Sequence, residues 1–196
     1  MIIVGLTGGI ASGKSFVSKY LKRNNYLIHE SDNVISLIYK NPNKNFLKLL
    51  IKIGLKKSIK KNKIDKKIIR DEIFKSNKIK IILEKYLHKE VEKKRKEFVK
   101  KNISEKIIFL DIPLLFEKNL HKKCNTICCM IASLQIREKR ALQRPGMTKE
   151  IFKRIIKNQV DDKERRLRSN YIINTMLTKN KTILQTKKII YDILKK

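Results

Sequence analysis

Tryptophan is absent from this 196-residue chain, and cysteine and histidine occur only three times each. Cys124, Cys128 and Cys129 are odd in number and show neither the CxxC pairs of a zinc site nor the spacing of a disulfide framework. We therefore expect buried, reduced thiols. The histidines are far apart in the sequence, so nothing local resembles a cluster of metal ligands.

Long apolar runs are also missing, and none approaches the length that spans a bilayer. The first residues lack the basic segment of a secretory signal, and their apolar stretch is too short to form one. These absences predict a cytoplasmic protein without a membrane partner. They leave the oligomeric state open.

Acidic residues are scarce, since 18 Asp and Glu stand against 49 Lys and Arg, which gives a formal net charge of +31. Such a charge is typical of proteins that bind nucleic acid. However, lysine is scattered and accompanies an excess of Ile and Asn, all residues with AT-rich codons, so base composition explains it. The densest run, residues 56–63, is interpreted as a solvated loop, with a phosphate-contacting patch as the alternative. Few aromatic residues interrupt the lysines, and we expect no specific nucleic-acid partner.

Glycine is rare as well, yet four of the six glycines lie within the first 13 residues. The segment Gly8–Ser15 fits GxxxxGK[ST] in full. It follows an apolar run over residues 2–6 that predicts a buried strand, and apolar residues recur at helical spacing after it. This strand, loop and helix are the context that a phosphate-binding loop requires.

The chemistry of such a loop assigns roles to its residues. Small residues let the backbone N–H groups curl around a phosphate chain, and the helix N-terminus adds the positive end of its dipole. The Lys14 ammonium should bridge the β- and γ-phosphates of ATP, and the Ser15 hydroxyl should complete the shell of Mg²⁺, the predicted cofactor. The predicted ATP-binding residues here are Gly9, Ile10, Ala11, Ser12, Gly13, Lys14 and Ser15.

Two carboxylates follow a second predicted strand, residues 26–29. Ligands of open α/β sheets bind at the carboxyl ends of strands, so Asp32 is the candidate general base, with Glu30 able to assist. The alternative, equally weighted, is that Ser31 and Asp32 cap the helix predicted to follow.

Helical spacing dominates from about residue 42 to residue 101, where strand signals fade. Strands return at residues 107–111, 127–131 and, weakly, 171–173. Residues 134–168 are helical in pattern and rich in arginine, with an interruption at 144–146. The sequence therefore predicts one α/β domain with a core over 1–38, 105–133 and 169–196, a helical insertion over about 39–104, and a lid over about 134–168.

Four further side chains are candidates for phosphate chemistry. Arg137, Arg140 and Arg144 are three or four residues apart, so on one helix they share a face that could clamp the transferring phosphoryl group. A solvated face is the alternative. Asp111 ends an apolar strand, where an acid often binds Mg²⁺ directly or through water, and a turn-capping role is its alternative.

The segment Leu6–Ser15 closely resembles the opening of bacterial dephospho-CoA kinases. Further segments resemble the same family in order along nearly the whole chain: Glu30–Asp32, Arg70 with Ile73 and Phe74, Leu87–His88, Asp111–Glu117, Gln135–Arg144, Arg154–Ile155 with Gln159, and Ile173–Asn174. The resemblance implies a P-loop kinase three-layer fold, with a five-stranded parallel sheet, a helical CoA-binding insertion and an arginine-bearing lid.

The resemblance also implies an activity, transfer of the ATP γ-phosphoryl group to the ribose 3′-hydroxyl of dephospho-CoA in the last step of CoA synthesis. ATP and dephospho-CoA are then the partners. The residues implied are catalytic Asp32, Lys14 and Arg140; ATP-binding Phe16, through its backbone N–H, and Arg144; and substrate-binding Thr7, Glu30, Asp32, Arg70, His88 and Asp111. Kinases of other nucleoside or nucleotide acceptors, and a basic ATP-binding protein associated with nucleic acid, are the alternatives.

The chain departs from the family pattern at five positions: Ala11 for Gly, Phe16 for Thr, Glu30 for Asp, Lys89 for Pro and Pro145 for Asp. Ala11 should be tolerated where its φ is negative and strained where the loop requires φ above zero. The extra methylene of Glu30 could shift a hydrogen bond to the acceptor. Pro145 could alter closure of the lid. These departures together allow a low turnover.

Overall fold

The computed structural model describes residues 1–61 and 63–195. Asn62, in the predicted basic loop, and Lys196, in the predicted core, lie outside the described residues. The chain divides into two compact units, one of Met1–His29 with Asn102–Lys196 and one of Glu30–Lys101. Sequence spacing placed the start of the insertion at residue 39, whereas the second unit already begins at Glu30.

The first unit is built on a five-stranded parallel sheet, as predicted, in the order β2-β5-β1-β6-β7. Its elements are β1 Ile2–Thr7, α1 Lys14–Arg23, β2 Ile28–Glu30 (whose last residue begins the second unit), β5 Ile107–Asp111, β6 Thr126–Ile131, α6 Leu134–Leu142, α7 Lys149–Lys157, α8 Asp162–Leu167, β7 Tyr171–Asn174 and α9 Lys179–Leu194. A short 3-10 helix covers Leu120–Lys123.

The central strand β1 pairs in parallel with β5 and with β6, and Leu6 lies opposite both Asp111 and Cys128. The carboxyl ends of these strands therefore meet at one edge, where the loop after β1 begins. All five residues of β5 are buried, and the first four are apolar, as expected for a strand covered on both faces. Val17 and Leu21 of α1 and Ile190 and Ile193 of α9 complete this core.

The second strand starts two residues later than predicted. The backbone N–H of Tyr26 still donates to the carbonyl of Leu21, 3.1 Å away, and Asn25 has a positive φ of 62°. These residues end α1 instead of extending the sheet, although the Tyr26 ring packs edge-on against Phe109.

The second unit has its own apolar core. Its elements are α2 Ser31–Lys40, α3 Lys44–Lys52, a 3-10 helix Lys56–Ser58, β3 Ile59–Lys60, β4 Lys63–Ile64, α4 Lys66–Lys75 and α5 Asn77–Lys101. Phe46, Leu50 and Leu83 are completely buried, and Ile35, Ile38 and Tyr39 of α2 pack against them. This packing explains why α2 belongs to the second unit although its sequence lies before the predicted boundary.

Two details of the second unit differ from the sequence-based interpretation. The insertion is not entirely helical, because β3 and β4 form a short antiparallel pair. The basic run is likewise not only a loop, since it contains the 3-10 helix and these strands. Burial of Ile64 and the hydrogen bond from Asp65 N–H to the Ser58 carbonyl explain this order. No helix among residues 1–61 and 63–195 has the length and apolarity needed to cross a membrane.

Candidate active site

The loop between β1 and α1 contains three glycines, Gly8, Gly9 and Gly13, at which any side chain would require rearrangement. Gly13 has a φ of +91°, and a Cβ there would lie 2.9 Å from the side chain of Thr175. Gly9 has no room for a side chain, because a Cβ there would lie 2.2 Å from the Arg137 guanidinium. Two side chains from distant parts of the sequence, Thr175 and Arg137, therefore pack against the loop.

Ala11 has a φ of 58°, and a positive φ is the conformation in which an alanine at this position was expected to be strained. Its methyl group is buried against Ala141 of α6 and Phe152 of α7. Ile10 packs on the same cluster. The apolar contact with the predicted lid helices therefore offsets part of the backbone strain.

Lys14 points at the end of β5, where its Nζ forms an ion pair with Asp111 Oδ1. The other carboxylate oxygen of Asp111 accepts a hydrogen bond of 2.6 Å from the Ser18 hydroxyl. Asp111 and Ser18 are both buried. The structure thus brings together two predicted residues, Lys14 and Asp111, and adds Ser18, whose spacing of four residues from Lys14 on α1 was the available signal.

Ser15 lies exposed in the first turn of α1, directly after Lys14. The backbone N–H of Phe16, which is predicted to bind ATP, donates to the carbonyl of Gly13 at 2.9 Å. Thr7 ends β1 with no exposed surface. Within the described part of the chain, the hydroxyls of Thr7 and Ser12 have no hydrogen-bond partner. The contact of Thr7 with a substrate stays a prediction.

The three arginines predicted to share a helix face have different environments. Arg137 is buried, donates from Nε to the Ile10 carbonyl at 2.9 Å and forms an ion pair with Asp162. Burial lowers the pKa of Arg137 and the Asp162 carboxylate opposes this effect. Arg140 is half-buried, and it donates to the hydroxyl of Thr175 at 3.1 Å and to its carbonyl at 2.7 Å.

Arg144 does not belong to this face, because α6 ends at Leu142 and Arg144 lies exposed in the turn that follows. Pro145 explains the end of the helix, since a proline disfavours the helical conformation of the residue before it. The prediction of three arginines on one helix face was therefore wrong for Arg144. The turn itself falls where the interruption at 144–146 was expected.

Four side chains near the loop were not identified as functional candidates from the sequence. Gln159 Oε1 accepts from the backbone N–H of Ile10 at 3.0 Å, so this predicted phosphate donor is engaged by the segment after α7. Arg165 is almost fully buried and pairs with Glu117 at 2.7 Å. Asp162 pairs with Arg137 and lies 3.6 Å from Arg165. Sequence patterns do not predict buried arginines, because charged residues are normally assigned to the surface.

Most candidate residues of the second unit are exposed, whereas Glu30 is half-buried. Asp32 is exposed in the first turn of α2, and the residue at the N-cap position is Glu30, whose side chain does not cap the helix. The alternative reading of Ser31 and Asp32 as caps was therefore wrong, because the helix starts at Ser31. Arg70 is exposed and its Nε lies 3.7 Å from Asp71. His88 is exposed on α5.

The thiols agree in part with expectation. Cys128 and Cys129 are buried in β6, and burial raises the pKa of Cys128 to about 12 and that of Cys129 to about 11. Cys124 is only partly buried. Both strand thiols therefore stay protonated near neutral pH and serve as apolar core residues.

The residues beside Lys14 suit a magnesium ion that arrives with nucleotide phosphates. No group of three or more His, Cys, Asp or Glu side chains in the described ranges could hold a metal by itself. The exposed Ser15 hydroxyl and the Asp111 carboxylate supply hard oxygen atoms, which Mg²⁺ prefers, and few protein ligands are needed when phosphates provide others.

Comparison with known proteins identifies the family of this chain. The family model for dephospho-CoA kinase matches residues 2–180. A dephospho-CoA kinase of Bartonella quintana is 35% identical over 201 residues, covering 100% of each chain. Two solved structures superpose over 98% of this chain and 97% of their own. TT1252 from Thermus thermophilus has a TM-score of 0.81 and 24% identity, and a dephospho-CoA kinase from Campylobacter jejuni has a TM-score of 0.75 and 25% identity. The chain therefore belongs to the dephospho-CoA kinase family.

Proposed function

We propose that this protein transfers the γ-phosphoryl group of Mg-ATP to the ribose 3′-hydroxyl of dephospho-CoA, giving CoA and ADP. One observation carries the proposal above the rest. A complete phosphate loop presents Lys14 beside the carboxylate that ends β5, in a chain that matches this family from residue 2 to residue 180. The reaction uses ATP, and we place it in the cytoplasm.

The donor side is served by the loop and the lid arginines. The backbone N–H groups of the loop and the N-terminus of α1 hold the phosphate chain of ATP, and the Ile10 N–H exchanges its bond to Gln159 for a phosphate oxygen. Lys14 exchanges its contact with Asp111 for oxygens of the β- and γ-phosphates, and the negative charge of Asp111 stays nearby to hold the ammonium in place. Arg140 stabilises charge that develops on the transferring group, and exposed Arg144 binds ATP.

Mg²⁺, held through Ser15 and, directly or through water, Asp111, would neutralise phosphate charge and orient the γ-phosphoryl group. The protein's own residues do the rest. Ser18 keeps the Asp111 carboxylate oriented by its 2.6 Å hydrogen bond. The packing of Ala11 against Phe152 keeps the loop covered on the side of α7.

The acceptor side requires a base and groups that bind dephospho-CoA. Asp32 accepts the proton of the attacking 3′-hydroxyl, and its place in the first turn of α2 suits a negative charge, because the helix dipole is positive there. Glu30 assists in orienting the ribose. Arg70 and His88 supply positive and polar contacts for the acceptor from exposed positions of the second unit.

The first experiment is an acceptor panel with the purified full-length chain. ADP formation from Mg-ATP is measured with dephospho-CoA, adenosine, AMP or no acceptor, and the product is identified by mass spectrometry. We expect turnover only with dephospho-CoA and a product heavier by one phosphate on the ribose. Turnover with adenosine or AMP instead would assign another acceptor, and tight ATP binding without transfer to any acceptor would refute a kinase function.

A further inference from the structure

We infer that Thr175 is a positioning residue that fixes Arg140 and the phosphate loop in one mutual arrangement for phosphoryl transfer. The inference rests on the proposed function, because it assigns Arg140 to the transferring phosphoryl group. Thr175 follows the last residue of β7 and is buried. It is far in sequence from both partners, 35 residues from Arg140 and 163 from Ser12.

Thr175 holds the guanidinium of Arg140 through two acceptors. Its hydroxyl accepts from one terminal nitrogen at 3.1 Å, and its carbonyl accepts from the other at 2.7 Å. These bonds use two of the five N–H groups of the guanidinium, so three are left over for phosphate oxygens. A pair of bonds to one residue fixes the plane of the guanidinium as well as its position.

The same hydroxyl holds the phosphate loop. Its proton is donated to the carbonyl of Ser12 at 2.6 Å, which is shorter than the 3.1 Å to the Ile131 carbonyl. The Cβ, Cγ2 and Oγ1 atoms of Thr175 also fill the space that a side chain on Gly13 would need. Thr175 therefore determines both the direction of the Ser12 carbonyl and the close approach at Gly13, immediately before Lys14.

The backbone of Thr175 is itself anchored to the sheet. Its N–H donates to the Ile131 carbonyl at 3.0 Å, and Ile131 is the last residue of the neighbouring strand β6. A rigid strand end thus carries one hydroxyl that accepts from the lid arginine and donates to the loop. A small hydroxyl side chain does both through one atom, which favours threonine or serine at this buried position.

A double-mutant cycle tests this role. Thr175→Val keeps the shape and removes the hydroxyl, and we expect kcat/KM for ATP to fall about 10- to 100-fold, the size of a hydrogen bond to a charged group. Thr175→Ser should restore most of the activity. In the Arg140→Ala background, Thr175→Val should cost less, because only the bond to the Ser12 carbonyl is then lost.

Thr186→Val is the matched control, since Thr186 is a buried threonine of α9 whose hydroxyl donates to the Thr182 carbonyl at 2.8 Å. It should leave kcat and KM unchanged. If Thr175→Val does not fold, Thr175→Ala takes its place in the cycle. Full additivity of the Thr175 and Arg140 substitutions, or a Thr175→Ser variant as impaired as Thr175→Val, would overturn the inference.

The cycle also separates failure of this inference from failure of the proposed function. Wild-type protein that transfers nothing to dephospho-CoA would overturn the function. The cycle is then measured by calorimetry as ATP dissociation constants, which require no acceptor. Coupling between Thr175 and Arg140 in ATP affinity supports the inference, and independent effects refute it.

Discussion

The candidate residues for ATP and those for the acceptor are held in different ways. Lys14, Arg140 and Asp111 of the first unit each contact a buried partner. Arg70 is 64% exposed with a loose 3.7 Å ion pair, and His88 is exposed. A phosphate site whose groups are already in place avoids reorganisation during the reaction. Exposed long side chains lose conformational freedom when a ligand orders them, so we expect the acceptor itself to order its contacts.

Each of the two units also has its own apolar core. The core of the first unit lies between the parallel sheet and helices such as α1 and α9. The second unit packs Phe46, Leu50 and Leu83 into a separate core. Damage to one core should therefore affect ATP and acceptor binding unequally.

Asp32→Asn should have the largest effect on turnover. It tests whether Asp32 is the general base that accepts the proton of the attacking hydroxyl. Loss of a positioned general base lowers kcat about 10²- to 10⁴-fold. Both substrates should still bind and the melting temperature should stay close to wild type, because Asp32 is exposed and is not the cap of α2. Kinetics and calorimetry measure these effects. Asp192→Asn on α9 is the control, and a variant of Asp32 that loses its fold would contradict the catalytic role.

Lys14→Ala tests the donor side, where the group is fixed before ATP arrives. Removal of one group that stabilises transition-state charge lowers kcat by roughly 10²- to 10³-fold. The fold should survive, because Asp111 keeps its hydrogen bond from Ser18. Lys19→Ala, an exposed lysine on the same helix, should retain wild-type kinetics. Near wild-type turnover of Lys14→Ala would remove this residue from the mechanism.

The local features of the first unit could be predicted from sequence. The phosphate loop is a short motif whose residues are adjacent in the chain, and the strands of a parallel sheet are continuous apolar runs. The five strands of the sheet occur in the predicted order along the chain, and residues 134–168 are largely helical, as predicted. The short pair β3 and β4 was missed because each strand has only two residues.

The contacts that fix the loop could not be predicted in the same way. Thr175 and Ser12 are 163 residues apart, and Gln159 is 149 residues from Ile10. Arg137 and Arg165 are charged residues that pattern reading assigns to solvent, yet both are buried against acidic partners. Contacts between residues so far apart in sequence depend on tertiary packing. Hydrophobic periodicity reports only local structure and does not predict them.

Phe46→Ala sharpens the comparison of the two cores. Phe46 is completely buried, stacks on Tyr86 at 5.1 Å and lies edge-on to Tyr39. Its truncation should destabilise the second unit by about 3–5 kcal/mol. We expect dephospho-CoA binding to weaken while ATP affinity changes little, as measured by urea unfolding and calorimetry. Phe74→Ala, at a side chain 71% exposed, should change stability by only about 0.5 kcal/mol. Equal losses of ATP and acceptor affinity would contradict the separation of the cores.

Ala11→Gly should have the smallest effect and tests how the donor site tolerates its strained residue. Glycine removes a left-handed backbone penalty of roughly 1–2 kcal/mol. It also loses one buried methyl group, about 0.8 kcal/mol, and adds about 0.4–1 kcal/mol of unfolded-state entropy. These contributions nearly cancel, so the free energy of unfolding should change by less than about 1 kcal/mol.

Ala141→Gly removes a methyl group from the other side of the same contact, but from a helix, where no strain is relieved. It should destabilise by about 1.5–2 kcal/mol, because glycine also lowers helix propensity. Unfolding of both variants in urea gives the comparison directly. If Ala11→Gly costs as much as Ala141→Gly, the loop is not strained at Ala11, and contact with α6 and α7 alone explains why an alanine is accepted there.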